Sequence, residues 1–110
     1  MTEARLKTGL WARGLMRLAQ SQGHDAMMLK RGDEDAGALL IVLMDRKNRL
    51  VVLRVAALGQ GWERHPMSDP ETLDAYLERQ KRYDPDLWVL EFTLDDVDQP
   101  IERILPDRVA

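Results

Sequence analysis

The chain contains no cysteine. That removes disulfides, thiolate nucleophiles and cysteine-bound zinc together, and it suits a reducing compartment. Ser21 and Ser68 are the only serines, and neither stands in a Gly-x-Ser-x-Gly elbow, so hydrolysis of the triad type has no carrier. His24 and His65 are the only histidines, and a metal would have to recruit carboxylates from elsewhere in the chain. Aromatic residues make up 5% of the chain and do not interleave with basic ones, which leaves no platform for stacking nucleic-acid bases. No run approaches the ~20 apolar residues of a membrane span. The opening "MTEARLKTGLWARGLMRLAQ" is no secretory signal either, because Lys7, Arg13 and Arg17 interrupt every apolar run. The expectation is a cytoplasmic protein that contacts no membrane and holds no metal and no cofactor.

What is present describes one folding unit. At 110 residues the chain is long enough for a single modest core, and 45% apolar against 32% charged residues favours folding over disorder. We expect a single domain over residues 1–98 and a C-terminal tail over 99–110. The net charge of −3 is unevenly placed: residues 1–31 hold six basic and two acidic side chains, and residues 32–110 hold ten and seventeen. Such asymmetry fits a solvated helix face, and also a nucleic-acid or anionic-membrane face or a complementary surface between two protomers.

Periodicity gives the elements. Leu10, Trp11, Gly14, Leu15 and Leu18 form one stripe of a helix over about 3–21, with Arg13 and Arg17 together on a flanking face and Gly23 at the left-handed cap. "AMMLK" reads as a short strand. "ALLIVLM" is apolar on both faces, so it belongs in the middle of a sheet with cover on both sides. "DRKN" supplies a hairpin turn, with Asn48 at positive φ, into "RLVVLRVAAL". Gly59 and Gly61 end that strand, and "WERH" begins another. The second helix starts at "MSDPE", either with Ser68 and Glu71 as a capping box or with Asp69 as cap and Pro70 in the first turn. Leu73, Tyr76, Leu77 and Gln80 face inward, Glu78 and Arg82 pair outside, and Pro85 stops the helix. In "LWVLEFTL", Trp88, Leu90, Phe92 and Leu94 share one face of a strand, and Leu87, Val89, Glu91 and Thr93 the other. The fold class is α+β, with a mostly antiparallel sheet of four to five strands and two helices, in the order helix, three or four strands, helix, strand. Both helices are placed most economically on one face.

The stretch "RGDEDAG" packs three acids between two glycines. Its acids lack the alternating positions and late glutamate of a calcium loop, and they would repel phosphate. They read as solvating a bend between two permissive glycines. As a candidate polar site the chain offers Arg31, Asp33, Asp35, Arg54 and Arg82. The tail residues Ile101, Ile104 and Leu105 stand at helical-turn spacing, and with Arg13 and Arg17 they make a candidate interaction surface, Asp95, Asp96 and Asp98 approaching those arginines in a partner.

The segments "RLKTGLWARGLMR", "KRGDEDAGALLIVL" and "RQKRYDPDLWVLEF" together resemble bacterial domain-of-unknown-function family 1491, over nearly the whole chain. The resemblance implies a small single-domain cytoplasmic protein with no assigned activity, and it places Arg31, Gly32, Asp33, Asp35, Gly37, Arg79, Asp84, Pro85 and Trp88 in the identifying pattern. Two functions follow as expectations. One is a noncatalytic interaction or regulatory domain, with a protein partner or a second copy of itself. The other is a nucleic-acid-binding or degenerate nuclease-like domain, because the element order matches that of restriction endonucleases. In that order Asp35 would stand for the first metal-binding acid, but Val52 and Arg54 replace the acid and the lysine of the third strand.

Overall fold

A computed structural model describes residues 6–56 and 61–108. The elements follow in the order α1 (Thr8–Ser21), β1 (Asp25–Lys30), β2 (Leu39–Met44), β3 (Leu50–Val55), β4 (Trp62–Met67), α2 (Pro70–Tyr83), β5 (Trp88–Thr93) and a short 3-10 helix, Ile101–Arg103. The five strands form one sheet in the order β1-β5-β2-β3-β4. β5 lies parallel to β2 and antiparallel to β1, and the other pairs are antiparallel. The architecture is therefore α+β with a mostly antiparallel sheet.

Alternation along the central strands decides where the helices go. Leu39, Ile41 and Leu43 of β2, with Trp88, Leu90 and Phe92 of β5, pack under Trp11, Ala12, Leu15 and Ala19 of α1. Leu40, Val42, Val52, Leu87 and Val89 point the other way, under Leu73 and Leu77 of α2. The two helices thus cover opposite faces, and the expectation of one shared face is corrected. A strand that is apolar on both sides needs cover on both sides, and one helix per face supplies it. The pattern read for β5 is the pattern observed.

α1 is rotated from the stripe expected of it. Trp11 and Leu15 are buried, but Leu10 is 56% exposed and Gly14 faces solvent, while Ala12 and Ala19 take the inner positions. Small alanines let the helix approach the sheet closely, so the buried stripe is set by fit and not by residue size. Gly23, at φ +86, sits just past the helix end as expected. The helix expected from about residue 3 begins at Thr8, with Lys7 extended ahead of it, while residue 3 itself and the strand end expected at Gly59 lie outside the described residues.

For α2 the second of the two caps holds. Asp69 accepts the Thr72 backbone N–H at 2.7 Å and Pro70 takes the first turn, while the Ser68 hydroxyl reaches Thr72 Oγ1 at 3.2 Å. Proline at the first turn gives up no hydrogen bond, because that N–H has no partner within a helix. Glu78 pairs with Lys81 and not with Arg82.

Between β2 and β3 the turn carries a buried acid. Asp45 accepts N–H groups from Lys47, Arg49 and Val97, and the Arg49 guanidinium closes on it at 2.9 Å. Arg49 also pairs with Asp96 and Asp98, so these two acids are held within the chain. Burial pushes the Asp45 carboxyl up, but the three backbone donors and the guanidinium outweigh it and hold the group below the usual carboxylate range. Asn48 adopts φ +61, as the turn required.

Candidate functional site

The acidic loop is built as a clasp over the turn that precedes β5. Lys30 Nζ donates to the carbonyls of Pro85 and Leu87 at 2.9 and 2.8 Å. The Asp33 backbone N–H donates to Asp86 O, and Trp88 Nε1–H returns to Asp33 O at 2.6 Å. Gly32 and Gly37 are needed for the approach: a Cβ on either would stand 2.0 or 2.3 Å from Asp86 O, and Gly37 also holds φ +100. Asp84 completes the clasp by accepting the N–H groups of Ala38 and Asp86. Residues from two distant parts of the chain are thereby tied by backbone and side-chain hydrogen bonds.

The side chains of the loop point to separate partners. Asp33 accepts the N–H groups of Asp35 and Ala36, closing its own turn. Glu34 lies between Arg13 and Arg31, and the Arg13 guanidinium, with Arg31 beside it, holds its carboxyl low against the cost of desolvation. The Asp35 carboxylate is exposed, 3.3 Å from Lys7 Nζ. Arg82 is exposed on α2 and Arg17 on α1. Of the candidate polar residues, Arg31, Asp33 and Asp35 share this loop without converging. The nuclease-like reading also needs a metal ligand at Val52, which is fully buried beneath α2. Among the described residues no three histidine or carboxylate side chains are grouped to hold a metal ion.

Arg54 goes elsewhere. It lies half-buried near the end of β3, where a cavity of about 240 Å³ opens between the start of β2, the end of α2 and the C-terminal segment. Trp11, Leu40, Val55 and Leu87 give apolar walls, and Arg54 and Gln80 add polar groups. The tail helps to close this end. Trp11 Nε1–H donates to Pro106 O and Trp62 Nε1–H to Leu105 O, and the two indoles stack with centroids 5.6 Å apart. Arg64 anchors the same segment by a fork onto Glu102 and by the carbonyls of Val97 and Gln99. Ile101 and Leu105 are buried in the α1-side core, which leaves Ile104, at 42% exposure, as the outward member of the three.

The two edges of the sheet differ. β4 carries Pro66 and the charged residues Glu63 and Arg64, all features that blunt an edge. β1 has charged ends in Asp25 and Lys30 and a register shift between Met28 and Lys30, but no proline; its outer side pairs with no strand among the described residues, and Met27 and Leu29 stand 57% and 44% exposed. α1 covers the face that carries Ala26 and Met28, whereas the core beneath α2 does not reach Met27 or Leu29. Sequence alone gave no hint of this patch, since which strand lies at an edge depends on pairing between distant segments.

The family model described as "Protein of unknown function (DUF1491)" matches residues 6–102. A DUF1491 family protein from Caulobacter crescentus CB15, seen in a crystal structure, is 34% identical, with a TM-score of 0.74 over 84% of this chain and 90% of that one. An NMR structure of a DUF1491 family protein from the same organism is 31% identical, covering 97% of this chain and 98% of that one, with a TM-score of 0.70. Protein Atu0922 of A. tumefaciens, known from a solution structure, is 28% identical, with a TM-score of 0.74 over 86% of this chain and 90% of that one. No curated protein matches. The family model spans most of the chain, including the clasp and both helices, and on that match the chain belongs to the DUF1491 family of proteins of unknown function.

Proposed function

We propose that the protein is a noncatalytic interaction module that acts as a homodimer, paired through the open edge of β1. The observation that carries this reading is the contrast between the two edges: β4 carries a proline, whereas the outer side of β1 pairs with no strand among the described residues and stands beside exposed Met27 and Leu29. The strand is also complementary to itself. A twofold axis perpendicular to the sheet near Met28 brings Met27 and Leu29 of the two copies together on one face, and the register shift between Met28 and Lys30 ends the regular pairing. The interface is small, which makes the dimer concentration-dependent.

Sedimentation over a range of concentrations tests it. The wild type should pass from the mass of one chain, 12.7 kDa, to that of two. Leu29→Lys, on an exposed side chain, should stay folded and monomeric. A wild type that remains one chain up to millimolar concentration, or a Leu29→Lys protein that dimerises as well as the wild type, would refute the reading.

A further inference from the structure

We infer that the cavity at the start of β2 is a binding site for a small organic carboxylate with an apolar body, held by Arg54. The arginines differ in how they are satisfied. Arg49 meets three carboxylates, and Arg64 meets one carboxylate and two carbonyls. Arg54 meets a single polar group among the described residues, the Tyr76 hydroxyl at 3.4 Å, and no carboxylate. A guanidinium offers five N–H donors, and a half-buried one gains most from a planar, two-oxygen acceptor.

The walls set the rest of the ligand. Trp11, Leu40, Val55 and Leu87 present indole and aliphatic surface, which suits a hydrocarbon or aromatic body. A volume of about 240 Å³ is that of about eight waters, so the ligand has on the order of ten non-hydrogen atoms. The other charges at the rim narrow the head group. Asp84 and Asp107 line the same cavity, together with Arg108. Asp84 already accepts two backbone N–H groups, and Asp107 accepts that of Gly61 at 3.2 Å. Two nearby acids repel a doubly charged phosphate more than a singly charged carboxylate. Arg54 therefore selects the carboxylate head, and the apolar walls select the body.

Benzoate and hexanoate are suitable probes, with benzamide as the neutral match to benzoate and inorganic phosphate as the bare anion. In ¹H–¹⁵N spectra of the whole chain, benzoate or hexanoate at millimolar concentration should move the Trp11 indole N–H and the amides of Leu39, Leu40 and Val55. Benzamide and phosphate should bind at least tenfold more weakly, and Arg54→Gln should weaken benzoate by at least tenfold. The benzoate-to-benzamide comparison needs no variant, so it decides the matter even if Arg54→Gln does not fold. Absence of these shifts with both carboxylates overturns the proposal. So does equal binding of benzamide or phosphate, or unchanged benzoate binding by a folded Arg54→Gln protein.

Discussion

At the scale of single residues, the buried acid of the β2–β3 turn carries the clearest consequence. Asp45 accepts three backbone N–H groups and the Arg49 Nε–H within 3.1 Å, with Arg49 Nη2 beside it at 2.9 Å, an arrangement that favours the carboxylate. Its folded pKa lies below the unfolded value of about 3.9, so the stability it confers is present above that pH and is lost as pH falls through the folded pKa. Glu34, Asp69 and Glu102 are shifted in the same direction and add to the same acid limb. Urea midpoints should be flat near neutrality and fall below about pH 4. Asp45→Asn should lower the midpoint at pH 7 and make that fall shallower; a variant with the wild-type pH profile would show that the turn does not depend on this charge. Local sequence could not announce the role, since the donor from Val97 comes from 52 residues away. Asn48 and Gly23 were legible because positive φ is a property of one residue and its neighbours. Gly37→Ala forces a Cβ onto Asp86 O at positive φ and should cost more than ~2 kcal/mol in urea titration.

At the scale of elements, helix and strand identities were legible and their docking was not. The alternation of Trp88 to Leu94 fixes two faces by itself, and the continuous apolar run of β2 already asked for cover on both sides. Economy of layers argued for one face, and the two-sided demand of β2 and β5 overrides it. The start of α2 shows the same limit, because Ser68 and Asp69 both have capping side chains and only geometry separates them. Asp69→Ala should lower the melting temperature by about 5 °C, and Ser68→Ala by much less; equal losses would show that both residues cap. The tail is the other docked element. Ile101 and Leu105 are buried, and the carbonyls of Leu105 and Pro106 take both indole N–H groups of the stacked pair. Leu105→Ala should cost about 2–5 kcal/mol, and removal of residues 99–110 should shift tryptophan emission to the red as the pair is uncovered. Unchanged emission in a destabilised truncation would place the stability of the tail elsewhere than over the indoles.

At the scale of the molecule, the sheet is a gradient from a doubly covered centre to two unlike edges, and hydrogen exchange should read that gradient directly. β2 and β5 are paired on both sides, and each contributes residues to both cores, so their amides open only with the whole fold. Ile41 to Leu43 and Leu90 should exchange slowest. β4 is paired on one side and none of its residues is fully buried, so its amides should exchange through local opening at any protein concentration. β1 behaves differently if its edge is the pairing surface. In a dilute sample its outward N–H groups face water and should exchange as quickly as those of β4. In a concentrated sample they donate to the second copy, so their protection should rise with concentration while that of β4 stays constant. Leu29→Lys should abolish the rise without altering Ile41 to Leu43, because the substituted side chain lies outside both cores. Protection of β1 that is high at every concentration would mean that its edge is satisfied within one chain, and concentration-dependent protection on β4 would move the pairing surface to the opposite edge.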